Sequence, residues 1–256
     1  VQWRHARSTA LEMRALRTRL SEARGTEIAA GSAPDDLATK IMTTRDPETG
    51  DCFDTAEMVD QVAIFFLAGH ETSASALAWA LYLLALYPAW QDRVAAEATD
   101  VIGAAAPAFS QLKQLAVTRD VFRETLRLYP PVPMMVREAA VRERLRDRTV
   151  PKGSQIVLSP WHLHRHERLW DAPDAFDPGR FATDNGQACL RRAYLPFSAG
   201  PRVCTGAGFA MAEGPLLLAM LVRAFRFEIV ADRPAMPVAH LTVRGRDGIW
   251  LRVTPR

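Results

Sequence analysis

At 256 residues, 48% hydrophobic and 24% charged, the chain has the composition of one globular domain and lies above the size at which burying a core becomes difficult. The net charge is +3, but Lys and Arg are spread along the sequence and not gathered into one arm, which argues against a nucleic-acid partner. Three cysteines, Cys52, Cys189 and Cys204, are too few and too irregularly spaced for a disulfide framework or a Cys-x-x-Cys zinc site, so a reducing, cytoplasmic compartment is expected. No signal-peptide pattern is present. The most apolar run, 62–69, is cut off by His70, Glu71 and Thr72 before it could cross a bilayer, so the expectation is a soluble protein with no membrane span.

In chain order, residues 5–24 alternate Leu, Met and Ala with Arg and Glu at helical spacing, and the Gly, Ser and Pro of 31–34 end that helix. A shorter helix follows Pro34. Asp54 is a good N-cap with Glu57 three residues on, and opens an apolar pattern that runs as one unusually long helix to Tyr87, before Pro88. Further helices are predicted over 89–102, stopped by Gly103, and over 117–128, stopped by Pro130-Pro131. From Val132 to Pro160 the character turns to short β pieces, including 134–138 and 155–159, separated by Pro151-Lys152-Gly153. The stretch 161–204 has many Pro, Asp, Gly and Arg residues and no sustained period, a loop length that usually signals function. A buried helix is predicted over 206–224 and hairpin strands over 226–253. The fold class is therefore mainly α, with small β-sheets packed at one edge. It reads as a single domain over 1–256: helical to about 130, β and loop to about 205, then a helix and hairpins.

Three patterns point to chemistry. Phe197-Ser198-Ala199-Gly200-Pro201-Arg202-Val203-Cys204-Thr205-Gly206 is a Gly- and Pro-bearing loop that presents a cysteine at the start of an apolar helix, where amide N–H groups and the helix dipole stabilise a thiolate. A lone cysteine in such a place is otherwise a buried, inert thiol. Ala68-Gly69-His70-Glu71-Thr72 places Gly near Thr in mid-helix, at a cost of about 1 kcal/mol for the glycine, and suggests a local opening in which a Thr hydroxyl takes over a freed backbone hydrogen bond. Glu124 and Arg127, at i and i+3, share a helix face, which in isolation reads as a solvated ion pair.

Taken together, these segments resemble the cytochrome P-450 family of haem-thiolate monooxygenases, with the Phe, Gly, Cys and Gly of the cysteine loop all in register. The resemblance implies haem b as cofactor and Cys204 as its axial iron ligand, a thiolate that pushes electron density onto the iron. It places Phe197 near the sulfur, Gly200 and Gly206 where the backbone approaches the flat cofactor, and Arg202 and Arg137 on the haem propionates. It makes Thr72 the residue that guides protons to the oxygen site, with Glu71 relaying them, and gives His70 no defined role. Glu124 and Arg127 become a buried structural pair joined by Arg180 of Phe176-Asp177-Pro178-Gly179-Arg180-Phe181, where Gly179 departs from the polar residue usual in the family. His162, His164 and His166 would share one face of an extended strand, as a metal site might. The family instead often carries a His-Arg pair at His164-Arg165 in a structural role, and Cys52 and Cys189 read as incidental thiols.

The resemblance runs over nearly the whole chain, yet domains of this family are substantially longer. The expectation is a C-terminal portion of such a domain, lacking what precedes Val1. The activity implied is O₂-dependent oxidation of a lipophilic small molecule by a soluble, bacterial-type enzyme, with electrons from a separate ferredoxin or flavoprotein reductase docking near Arg191, Arg192 and Arg202. Two other readings stay open: a peroxide-using or rearranging haem-thiolate protein, and a truncated non-catalytic fragment that binds haem weakly or not at all.

Overall fold

The computed structural model describes the backbone of residues 2–256 and the side chains of residues 11–54 and 56–256. Residues up to His70 and residues from Glu71 onward form two compact units, and the divide falls inside one long helix. The side chains of the predicted first helix before Leu11 lie outside the described residues.

The first unit holds α1 (Gln2–Ala29), α2 (Leu37–Thr43) and the beginning of α3 (Thr55–Leu86). Asp36 caps α2 by accepting from the Thr39 N–H at 2.9 Å, and its carboxylate also takes Arg24 Nη1 at 2.6 Å. Those two contacts, the guanidinium first, lower its pKa to about 2. The start of α3 is the capping box expected from Asp54 and Glu57. Asp54 Oδ1 accepts the Glu57 N–H at 2.8 Å, and Glu57 Oε2 accepts the Asp54 N–H at 2.9 Å. The helix stops at Leu86, and Pro88 sits at the first position of α4 (Pro88–Ile102), where its missing N–H would be unpaired anyway.

The second unit is built on the rest of α3 with α4, α5 (Ala116–Leu128) and α8 (Ala207–Ala224), and α6 (Pro160–Leu163) and α7 (Asp184–Arg192) lie between them in sequence. Ala80, Leu83 and Leu84 of α3 meet Val94 of α4, Val121 of α5 and Leu218 and Val222 of α8 in one buried cluster. Trp79 stacks on Tyr129 with ring centroids 4.0 Å apart and donates Nε1–H to the Val243 carbonyl at 2.9 Å. Helix α8 is half apolar surface: Leu218, Ala219 and Val222 are buried, whereas Phe209 is 69% exposed, so the predicted buried helix buries one face only. By length and composition alone it is also apolar enough to cross a membrane, a test that the core helix of a soluble protein passes as well.

Among the described residues, eight short strands pair into four two-stranded antiparallel sheets: β1 (Met135–Glu138) with β4 (Gln155–Leu158), β2 (Glu143–Leu145) with β3 (Arg148–Val150), β5 (Phe225–Ile229) with β8 (Leu251–Pro255), and β6 (Pro237–Ala239) with β7 (Val243–Gly245). The stretch 161–204 is less irregular than its composition suggests. It contains α7 and two 3₁₀ turns, Pro178–Ala182 and Gly200–Arg202. Thr183 caps α7 by accepting the Gly186 N–H at 3.0 Å. Gly186 looks like a helix breaker, but a Cβ there would lie 1.9 Å from the Arg180 carbonyl oxygen, so its absence permits the contact between α7 and the turn before it. His162, His164 and His166 lie in and just after the short helix α6 and not on an extended strand, so they do not share one face.

A second close approach fixes how α5 meets α8. A Cβ at Gly214 would fall 2.2 Å from Phe122 Cζ, so the buried ring packs directly on the helix backbone. Gly214→Ala is expected to overpack this contact and lower stability by about 1–3 kcal/mol despite alanine's better helix propensity, as read by the midpoint of urea unfolding.

Candidate functional site

The site is assembled from a buried ionic cluster outward. Glu124 and Arg127, both on α5, are fully buried, not solvated. Arg127 grips Glu124 with two parallel bonds, Nε to Oε2 and Nη2 to Oε1, each 2.8 Å. Arg180 Nε reaches Oε1 of the same carboxylate at 2.9 Å, and the Asp177 N–H joins it at 3.0 Å. The three residues that the family resemblance places together are therefore in direct contact. Their remaining donors are spent on backbone. Arg127 donates to the carbonyls of His164, Pro173 and Ala175, and Arg180 to those of Asp171, Ala172 and Ala175. Ala172 sits in the left-handed region at φ 42°, a conformation unfavourable for alanine that these bonds hold in place.

His164 is fully buried beside this cluster. Its Nδ1 lies 3.1 Å from the Arg127 carbonyl and its Nε2 accepts the Leu195 N–H at 2.8 Å, which fixes the tautomer with the proton on Nδ1. Tyr194 stacks on the ring at 5.4 Å, and its hydroxyl donates to the Arg123 carbonyl at 3.0 Å. Burial, reinforced by the nearby charges of Arg127 and Arg165 against the opposing effect of the Arg127 carbonyl, lowers the His164 pKa to about 4. Burial raises the Tyr194 pKa in the same way.

From Leu195 the chain enters the cysteine loop. The Ser198 N–H donates to the Leu195 carbonyl at 3.3 Å, and the Cys204 N–H to the Phe197 carbonyl at 2.8 Å. Ser198 and Gly200 turn the chain with φ of 63° and 69°, the second a conformation that favours glycine. No atom lies within 4 Å of a Cβ built at Gly200, whereas one at Gly206 would lie 3.8 Å from Cys204 Sγ. Phe197 packs against the cluster of Ala76, Phe122 and Leu126. Arg137, on β1, donates Nη2–H to Ser198 Oγ at 3.1 Å and so lies against the loop. Arg202 is exposed on the 3₁₀ turn, and Cys204 is an exposed thiol in no disulfide, three residues before α8 begins.

The Glu71 region differs from expectation. Helix α3 continues unbroken through 68–72, with no local opening, because the backbone stays in helical hydrogen bonding there. The notable geometry is at the carboxylate. Glu71 Oε1 accepts from Arg244 Nε at 2.6 Å and from Thr242 Oγ1 at 2.7 Å. Two residues further along α3, Ser73 Oγ donates to Glu213 Oε2 at 3.2 Å. Arg244, Thr242 and Glu213 carry no local signal in the sequence. They are more than 130 positions from their partners, and only the β6–β7 hairpin and α8 bring them near. Cys189, read as incidental, is a buried thiol that donates to the Leu169 carbonyl at 2.9 Å.

With this geometry in hand, comparison with known proteins identifies the class. A family model described as cytochrome P-450 matches residues 2–246, and the chain belongs to that family. It is 37% identical to cytochrome P-450 4A10 of Mus musculus over 210 residues, 80% of this chain and 40% of that protein. It is 37% identical to cyclooctatin synthase of Streptomyces melanosporofaciens over 202 residues, 79% of this chain and 44% of that protein. It is 38% identical over 200 residues to cyclooctat-9-en-7-ol 5-monooxygenase of the same organism, 78% of this chain and 44% of that protein. The chain thus spans about two-fifths of the length of these relatives. They include a mammalian and two bacterial proteins, so a specifically bacterial type is not distinguished.

The His164 geometry has a consequence for stability. The unfolded chain binds a proton at this residue near pH 6.5, whereas the folded one binds it only near pH 4, so its contribution is complete above about pH 6.5 and is lost as pH falls towards 4. Between those limits the loss is of order 3 kcal/mol. Urea unfolding at pH 7 and pH 5 should show a smaller pH dependence for His164→Gln than for the parent protein. An equal dependence in both would contradict the assignment.

Proposed function

We propose that this chain carries the haem-binding and oxygen-activating residues of a cytochrome P-450 monooxygenase. The observation that carries the reading is Cys204, an exposed, unpaired thiol on a loop held by backbone bonds at Phe197 and backed by Arg137. The donor set suits haem b: one thiolate for the iron, and Arg137 and Arg202 as cations for the propionates. Open space at Gly200 and the exposed apolar side chains Val203 and Phe209 suit its flat face. When bound, haem b supplies the activation of O₂, taking two electrons and two protons to place one oxygen atom in the substrate and release the other as water.

The protein residues then have distinct tasks. Cys204 gives its thiolate to the iron and, through the Phe197 carbonyl, has its position set by the loop. Thr72 and Glu71 hold and pass protons towards the oxygen site, and Arg244 and Thr242 fix the rotamer from which Glu71 does so. The substrate is a lipophilic small molecule, a class consistent with the relative named cyclooctat-9-en-7-ol 5-monooxygenase. The electrons come from a separate ferredoxin or flavoprotein that docks on the exposed cations Arg191, Arg192 and Arg202. Three thiols outside any disulfide fit a reducing, cytoplasmic setting.

A second reading, a non-catalytic fragment that binds haem poorly, is favoured by the exposed apolar residues of α8 and of the β1–β4 sheet, including Phe209, Val136 and Val157. Spectroscopy separates the two. The reduced, CO-treated protein should show the strongly red-shifted Soret band of thiolate ligation with one haem per chain, and Cys204→Ala should abolish that band. The same band in Cys204→Ala would exclude Cys204 as the ligand, and substoichiometric haem in the parent protein would favour the fragment reading.

A further inference from the structure

We propose that His164 is a positioning residue for the thiolate ligand: its imidazole carries the order of the buried Glu124–Arg127–Arg180 cluster into the loop that presents Cys204. The inference rests on Cys204 being the iron ligand, and adds what sets that ligand's position.

The connection is continuous in hydrogen bonds. Arg127 belongs to the last turn of α5, where carbonyls have no partner within the helix, and His164 Nδ1–H supplies one at 3.1 Å. Across the ring, Nε2 accepts the Leu195 N–H at 2.8 Å. Leu195 lies two residues before Phe197, whose carbonyl receives the Cys204 N–H at 2.8 Å, and its own carbonyl receives the Ser198 N–H at 3.3 Å. The imidazole is itself immobilised. Arg127 Nη1 donates to the His164 carbonyl at 2.8 Å, so one arginine fixes both the backbone and the ring of this residue. Tyr194 adds a parallel tie by stacking on the ring and donating to the Arg123 carbonyl, one turn back on α5. The start of the cysteine loop is thus fastened to two carbonyls on one helix, four residues apart.

Histidine suits this place because a neutral imidazole carries a donor and an acceptor on opposite sides of a rigid ring. Phenylalanine keeps the shape and neither bond. Glutamine keeps a polar amide long enough to accept from Leu195. Asparagine stops near the position of Nδ1 and leaves Leu195 unpaired. Loosening Leu195 frees the Phe197 carbonyl and with it the Cys204 N–H, and hydrogen bonding around a ligating sulfur is one of the factors that set a haem-thiolate potential.

The test measures amide hydrogen exchange and the haem reduction potential in the same haem-loaded proteins. In His164→Phe, exchange at Leu195 and Cys204 is expected to accelerate roughly tenfold to a hundredfold, the effect of leaving one buried donor unpaired. Amides of α4 and α8 should keep their parent rates. The potential should move away from the parent value in His164→Phe and return towards it in His164→Gln. Should His164→Phe not fold, His164→Asn takes its place with the same expectation. Acceleration at Leu195 but not at Cys204, or equal acceleration throughout α4 and α8, would overturn the proposal, as would a potential identical in all variants. If the parent protein lacks the thiolate band, it is the assignment of Cys204 that fails, and the exchange data still decide whether His164 holds the loop.

Discussion

One fully buried carboxylate, Glu124, held between two guanidinium groups is the constraint on which the second unit depends. An ionised carboxylate moved into a protein interior loses hydration worth many kcal/mol, and pairing offsets that loss only when the geometry is good and every remaining polar atom is satisfied. Here both conditions hold: Glu124 takes two bonds from Arg127, one from Arg180 and one from the Asp177 amide. Apolar residues of similar volume would pack with no such demand. The ionic arrangement contributes specificity of structure, because the outward-facing guanidinium donors can be satisfied only by carbonyls at particular places.

Those carbonyls belong to the segment whose sequence has no period of its own. Asp171, Ala172, Pro173 and Ala175 cannot pair in a sheet or a helix there, and the two arginines supply the partners that a ladder would otherwise provide. Helix α5 therefore serves two surfaces. Its Phe122 packs on Gly214 of α8, the helix that follows Cys204, and its Glu124 and Arg127 order the chain that precedes Cys204. The cysteine loop is held from both sides by one helix, and Arg137 of β1 braces it at Ser198.

How far this was legible in the sequence depended on whether a signal was local. The capping pair Asp54 and Glu57 and the stop before Pro88 are short-range patterns, and each has its expected structural form; the cysteine loop is equally local, and Cys204 stands three residues before α8. The Glu124–Arg127 spacing was visible, but spacing alone favours a solvated pair, and its burial depended on Arg180, 53 positions beyond Arg127 in sequence. Helix α7 is hidden by the Pro, Asp, Gly and Arg content of 161–204, which has no sustained period, and at Gly186 the missing side chain admits the Arg180 carbonyl. The opening expected at Gly69 is absent: residues 68–72 run as regular α-helix inside α3, so the local pairing of glycine and threonine overstates the tendency of the helix to break. The partners of Glu71 were invisible for the opposite reason: Arg244 and Thr242 become neighbours only through the β6–β7 hairpin, a pairing that no local pattern specifies.

The central claim is that the charge on Glu124 orders the segment leading to the cysteine loop. Limited trypsin digestion of Glu124→Gln tests it most directly, because that segment carries its own cleavage sites at Arg165, Arg168, Arg180, Arg191 and Arg192. Within residues 71–256, the first cuts in the variant should fall at these arginines, ahead of Arg93 in α4 and Arg223 in α8, and well before the same cuts appear in the parent protein. First cuts at Arg93 or Arg223, or a pattern and rate equal to those of the parent, would contradict the account.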